Sequence, residues 1–189
     1  MAVAAYGSQR LAELDRWLRD ELPPAIAARP APLVTLQELV WATEWKMLRG
    51  VWRPRNLQLV RSNLGTEVER LSAEALKAIP DPRRPLALLA RLGGVGPATA
   101  SAVLATAAPS TYPFFDEVVA AQVPGLGPVA FTAAYYQRYA NALHRRASLL
   151  TTVCSHSPWP VHDLDLALWS AVDGKKPVSL SRALPAAPR

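Results

Sequence analysis

The sequence predicts an all-α fold, and three observations predict it. Apolar residues recur at helical spacing through most of the chain, the alternation expected of strands is missing, and prolines cut the chain into pieces of helix length. At 189 residues, half of them apolar, the chain can bury one sizeable core.

Each element has its own local signal. Ser8 is placed to cap a first helix whose stripe is Leu11, Leu14, Leu18 and Leu22, with Trp17 beside it, and Pro23-Pro24 is expected to end it. After an irregular link to Pro32, Thr35 opens a second helix with Glu38 three residues on, the spacing of a capping box. Leu36, Leu39, Val40, Thr43 and Met47 point inward from it, and Gly50 closes it. Pro54 starts a third helix running to 64; Gly65-Thr66 breaks the pattern before a fourth over 67–79. Beyond Pro80-Asp81-Pro82 come an apolar helix to Leu92, a glycine turn and an alanine-rich helix over 97–107. A loop over 109–113 leads to a short helix opened by Asp116. Thr132 then opens a long helix with Tyr135, Tyr139, Leu143, Ala147 and Leu150 on one face. Asp163 begins a last helix burying Leu164, Leu168 and Trp169, and the chain from Gly174 reads as a loose tail.

Composition narrows the function classes. No apolar run approaches the roughly 18 residues of a membrane span, and the N-terminus has no basic-then-apolar signal pattern. The expected location is therefore cytoplasmic, at the nucleoid, and the expected state a monomer. The single Cys154 rules out an internal disulfide. His144, His156 and His162 have no metal-ligand spacing. Net charge is +6, which suits a polyanionic partner. The bases gather at Lys46, Arg49, Arg53, Arg55 and Arg61 against the single Glu44, and at Arg83, Arg84 and Arg91 ahead of the glycine turn, whereas Glu67, Glu69 and Glu74 mark an acidic face. Taken singly, each cluster is also what a solvated helix face looks like.

The turn is Leu92-Gly93-Gly94-Val95-Gly96-Pro97-Ala98-Thr99-Ala100. Glycine permits positive φ and close backbone approach, and Pro97 fits a first helical turn, so N–H groups are presented at a positive helix end, where phosphate binds. Neither a P-loop nor a dinucleotide fingerprint fits: Gly96-Pro97-Ala98 lacks the lysine of the first, and Thr99 and a preceding helix contradict the second.

This run resembles the helix-hairpin-helix of the DNA glycosylase superfamily (HhH-GPD) that includes endonuclease III and the adenine glycosylases, with its Leu-x-Gly-Val-Gly-x-x-Thr-Ala pattern. Those families carry a catalytic Asp at the start of the next helix. Asp116, in Phe114-Phe115-Asp116-Glu117-Val118-Val119, stands at the matching separation from Ala98. The resemblance is sharp from Leu86 to Val119 and architectural elsewhere. It implies a glycosylase-like domain over 1–174, with the tail at 175–189. One lobe, 33–115, holds the hairpin 86–108; a second is built from 1–32 plus 116–174, and a cleft lies between them. It also implies double-stranded, damaged DNA as partner. The hairpin N–H groups of Gly94, Gly96 and Ala98, helped by Thr99, would meet a phosphate, and the carbonyls of Leu92 and Val95 would hold a monovalent cation. The four-cysteine iron–sulfur cluster of some relatives is ruled out by the single cysteine, and no other cofactor is expected.

The implied activity is base excision. Breaking an N-glycosidic bond puts positive charge on the sugar, which a carboxylate at Asp116 would stabilise while it orients or deprotonates water. Asp116 is equally well suited to be a helix N-cap, and Glu117 is the alternate acid. Where bifunctional relatives have a Schiff-base lysine this chain has Ala98, so the resemblance is to the monofunctional branch; Lys46 could substitute only if folding carries it to the cleft. A flipped base needs aromatic or apolar walls, for which Trp45, Trp52 and Phe115, with Glu44 and Lys46, are candidates. Glu44 is also placed to pair with Arg49. Arg49, Arg53, Arg55 and Arg91 are the expected DNA-facing bases. The region Glu44-Trp45-Lys46 departs from the glutamine-rich pocket helix of endonuclease III, so the base removed is not implied. The alternatives are a non-catalytic helix-hairpin-helix DNA-binding module and a helical interaction protein whose hairpin is purely structural.

Overall fold

The computed structural model describes residues 2–154 and 159–171; the tail 175–189 and His156 lie outside the described residues, as does the side chain of Cys154. Every regular element among the described residues is helical. In chain order these are α1 (Ala2–Arg16), a π-helical turn (Trp17–Glu21), α2 (Leu22–Ala27), α3 (Leu36–Arg49), α4 (Pro54–Arg61), α5 (Gly65–Lys77), α6 (Arg84–Leu89), α7 (Pro97–Ala107), α8 (Glu117–Ala120), α9 (Ala133–Cys154) and α10 (Val161–Ser170). None is long and apolar enough to cross a membrane.

Two expectations about the N-terminal helix are corrected. Ser8 lies inside α1, not at its cap, and Pro23-Pro24 does not end the helical rod. Proline cannot donate to the ladder, and its ring crowds the carbonyl four residues back. The rod accommodates this by widening just before the prolines: Leu22 N–H bonds to the Trp17 carbonyl, one residue further than in an α-helix. The stripe Leu11, Leu14, Leu18 and Leu22 is buried, and Trp17 meets Trp41 edge-on at 5.1 Å. Likewise Gly65 is the first residue of α5, with Leu64 as its N-cap.

The α3 capping box forms as its spacing predicts. Glu38 N–H donates to Thr35 Oγ1 (3.3 Å) and Thr35 N–H to the Glu38 carboxylate (2.8 Å). α3 then runs through the middle of the molecule with Leu39, Ala42, Trp45 and Met47 sealed, each at most 1 % exposed. One continuous apolar cluster extends from Leu11 in α1 through α3 and α7 to Leu164 and Trp169 in α10. α7 is buried along nearly its whole length, which fits its composition: mostly small residues let neighbouring helices approach a central helix closely.

Candidate functional site

The glycine turn joins α6 to α7, and α4 is its floor. Gly94 has φ of +75°, and a Cβ there would sit 2.6 Å from the Asn56 carbonyl and 2.9 Å from Leu59 Cβ. Only glycine fits. Asn63, just beyond α4, fastens the turn from below: its Oδ1 accepts Gly93 N–H at 2.8 Å, and its Nδ2 donates to the Gly93 carbonyl at 3.0 Å. Gly96 is different. It is exposed and extended, and a Cβ would meet nothing within 4 Å. Its place at the start of α7 faces open solvent.

The residues expected at this turn are placed differently. Gly94 is half-buried and Gly96 exposed; Ala98 and Thr99 are 4 % and 2 % exposed. The Thr99 hydroxyl is therefore shut in by packing and does not reach a phosphate on the outside. The Leu92 carbonyl, a candidate cation ligand with that of Val95, accepts Val95 N–H at 3.2 Å, and both side chains are core.

Ala98 instead faces a small open pocket. Lys46, Gly50, Val51, Arg53, Phe114, Phe115, Asp116, Glu117 and the exposed Phe131 line it with Ala98. The segment that brings Asp116 here is extended backbone fastened on two sides. Phe115 N–H donates to Ser101 Oγ of α7 (2.9 Å), while the hydroxyls of Tyr136 and Tyr139 in α9 reach the carbonyls of Pro113 (3.2 Å) and Phe114 (2.8 Å).

Asp116 is the N-cap of α8, its Oδ1 accepting Val118 N–H at 2.8 Å, and it is 4 % exposed. Its Oδ2 lies 3.2 Å from Arg49 Nη2. Both carboxylate oxygens thus have partners within the protein.

Arg49 is not DNA-facing. It is 2 % exposed, its guanidinium carbon 4.9 Å from the rings of Trp45 and Phe114 and 4.5 Å from that of Trp169. Three aromatic faces replace its water. The fully buried Asp165 lies beside it, Oδ2 3.9 Å from Nη2. Burial, with Asp116 nearby, pushes the Asp165 carboxyl up to about 7, against the pull of Arg49. The hydrogen bonding agrees. The Tyr139 hydroxyl is 2.8 Å from the Phe114 carbonyl and 3.1 Å from Asp165 Oδ1. Its one proton can serve only one of these, and the carbonyl can only accept. A protonated Asp165 donating to the Tyr139 oxygen satisfies both contacts.

Other expected site residues separate. Trp45 is core, 1 % exposed, its indole N–H held by Asp15 Oδ1 at 3.0 Å, so it lines no base pocket. Glu44 pairs with Arg10, at 3.2 Å, and not with Arg49. Trp52 is 46 % exposed, next to the pocket wall and not in it. Phe115 and Lys46 are among the residues lining the pocket, Phe115 at 1 % exposure and packed against Phe131, Tyr135, Tyr136 and Tyr139. Lys46 is half-buried; burial first, then Arg53, lowers its pKa, with Glu117 opposing. Arg53, Arg55 and Arg91 are exposed, and Arg53 lies 5.8 Å from the ring of Phe131. His144 is satisfied by the Thr111 carbonyl at 2.8 Å, and among the described residues no His, Cys, Asp and Glu cluster could hold a metal.

Asn63, Phe131 and Asp165 are missed by sequence reasoning, which finds Tyr139 only as a residue on one face of its helix. Asp165 had a usable signal, standing one helical turn from Val161 on a buried face; a single Asn after a helix gives none.

Comparison with models of known protein families, with curated proteins and with solved structures finds no match to this chain.

Proposed function

We propose that the chain is a helix-hairpin-helix DNA N-glycosylase-like protein of two lobes and a cleft, acting on damaged duplex DNA and releasing a base by attack of water. One observation carries the reading: Ala98, in the first turn of the hairpin's second helix, and Asp116 face the same pocket. A strand held at Gly96 would then present its neighbouring nucleotide to a carboxylate. The exposed Phe131 supplies aromatic surface for the base, with Phe115 packed behind it, and Arg53 a cation for its phosphate. Asp116 acts as a fixed negative charge beside the sugar as positive charge develops there. Because its oxygens are already held, proton transfer from water falls more naturally to Glu117, which lines the same pocket. The hairpin carbonyls of Leu92 and Val95 remain the proposed monovalent-cation ligands.

A second reading, a DNA-binding module without catalysis, is favoured by the same two contacts. An Asp that caps α8 and neutralises a buried arginine has a sufficient structural role.

Base release from duplexes carrying alkylated, deaminated or oxidised bases decides between them. The enzymatic reading expects release that is lost in Asp116→Asn while duplex binding persists, since asparagine can keep the cap. Binding without release across the panel supports the module.

A further inference from the structure

We propose that Asp165 is a positioning residue for Asp116, acting through Arg49: while Asp165 holds a proton it leaves the guanidinium to Asp116, and when it ionises it draws the guanidinium to itself and releases one oxygen of Asp116. The coupling of the three groups stands on their geometry. Its use in base removal rests on the reading of Asp116 as the carboxylate beside the sugar.

The three groups come from different elements and meet in one sealed space. Arg49 is in the last turn of α3, Asp116 caps α8 and Asp165 belongs to α10. A single nitrogen, Arg49 Nη2, stands 3.2 Å from Asp116 Oδ2 and 3.9 Å from Asp165 Oδ2. The second distance is beyond hydrogen-bond length, so the guanidinium is committed to Asp116. Asp165 Oδ2 is buried and has no hydrogen-bond partner among the described residues. With the acid proton on Oδ1 and given to the Tyr139 hydroxyl at 3.1 Å, Oδ2 is the carbonyl oxygen of a neutral acid. Such an oxygen competes weakly for a cation that already faces a carboxylate.

Loss of the proton reverses that balance. The charge left on Asp165 cannot take up water, and Arg49 is the cation within reach of it. The guanidinium carries several N–H donors in one plane, so a turn among the rings of Trp45, Phe114 and Trp169 brings it toward Asp165 without leaving them. Asp116 stays in place meanwhile, because its Oδ1 keeps the Val118 N–H at 2.8 Å. It loses only the cation on Oδ2, and the negative field it presents to a sugar in the pocket grows.

The groups around Asp165 leave it as the one that changes near neutrality. Burial pushes its carboxyl up to about 7; Arg49 pulls against this, Asp116 adds to it, and Arg19 of the π-helical turn also opposes. Arg19 is already matched by Asp15, at 2.7 and 2.9 Å. Burial holds Tyr136 and Tyr139 of α9 above their ordinary value and lowers His162, on the same helix as Asp165, to about 3. All three are neutral where Asp165 titrates. The plain alternative is a neutral acid that only ties α10 to α9, to which Asp116 is indifferent.

The test follows the side-chain carboxyl carbons of Asp116 and Asp165, and Nε of Arg49, by NMR of the full chain as pH is raised through about 7. In the wild-type chain all three resonances should step at one midpoint. In Asp165→Asn, which keeps a neutral group of the same size, the steps of Asp116 and Arg49 should vanish. Tyr139→Phe removes the acceptor of the Asp165 proton and should move the shared midpoint to lower pH, which covers an asparagine variant that fails to fold. An Asp116 signal with no step overturns the proposal, as does a step that survives Asp165→Asn. Carboxyl steps with an unmoved Arg49 also overturn it, since charge felt through space would then suffice. Base release over the same range separates this from the reading beneath it, and should rise through the midpoint in the wild-type chain but stay level in Asp165→Asn. Release without the steps sinks the role of Asp165 and leaves the glycosylase reading standing. Shared steps without release keep the hold of Asp165 on Asp116 and remove its use in catalysis.

Discussion

The Arg49 guanidinium meets the Asp116 carboxylate at 3.2 Å inside a cage of Trp45, Phe114 and Trp169 rings. This buried pair ties α3 to the segment that shapes the pocket. Its value lies less in net attraction than in what its loss leaves behind, since an unpaired charge cannot regain water there. Arg49→Met should lower unfolding stability by about 3–5 kcal/mol in urea titrations. Arg49→Met with Asp116→Asn removes both charges, and should cost less than the two single changes together, by about 0.5–3 kcal/mol. Strict additivity would mean that the two groups are held independently.

Much of the fold was legible because its boundaries are written in short-range chemistry. The box of Thr35 and Glu38, Pro54 at the head of α4 and Pro97 at the head of α7 each act within a turn of their own position. The pocket was half legible. Ala98 and Asp116 came from one motif; the burial of Arg49 did not, because a run of bases in sequence hides which helical face each one occupies. Ala42, Trp45 and Arg49 follow helical spacing on the buried face of α3, so the signal for Arg49 was its periodicity and not its charge. Pro23-Pro24 misled for another reason: a helix can widen ahead of proline when the flanking leucines have a core to enter.

Asp165 and His162 should make opposite contributions to the pH dependence of stability. Asp165 is raised from 3.8 to about 7, chiefly by burial. The folded state therefore holds a proton that the unfolded state has released, and this stability is full below 3.8 and lost as pH rises through 7. His162 is lowered from 6.5 to about 3, again chiefly by burial, its Nδ1 atom sealed although the residue keeps some exposure. Its contribution is full above 6.5 and lost as pH falls toward 3. Each slope has a limit of about 1.4 kcal/mol per pH unit, and across the shared window they oppose. Asp165→Asn should therefore unmask stability that rises with pH, and His162→Gln stability that falls with pH. Urea midpoints measured from pH 4.5 to 6 check both signs; parallel profiles for the two variants would contradict the assignment.

Gly94, packed on α4, and the exposed Gly96 should separate folding from binding. Gly94→Ala forces a Cβ onto the Asn56 carbonyl at positive φ, and should destabilise by more than about 1 kcal/mol. Gly96 has open space and an ordinary φ, so Gly96→Leu should change stability little, while its side chain stands where a phosphate would approach the start of α7. Thermal unfolding and duplex titration on both variants give the comparison. Equal loss of stability at the two positions would show that Gly96 is packed against something after all.

The role of the exposed arginines turns on burial and not on sequence clustering. Arg53, Arg55 and Arg91 are exposed around the pocket and the turn, whereas Arg49 has its charge matched inside the protein. A cation that neutralises a phosphate releases counterions, so each contact adds about 0.9 to the slope of log affinity against log salt concentration. Arg53→Gln, Arg55→Gln and Arg91→Gln should each flatten that slope by about one contact's worth and weaken binding to all duplexes alike. Arg49→Lys keeps a buried cation near Asp116 and should leave the slope as it is, although it gives up the planar stacking between rings. Fluorescence anisotropy across a salt series measures all four. A slope that falls only for Arg49→Lys would mean that the arginine leaves its aromatic cage to meet the strand.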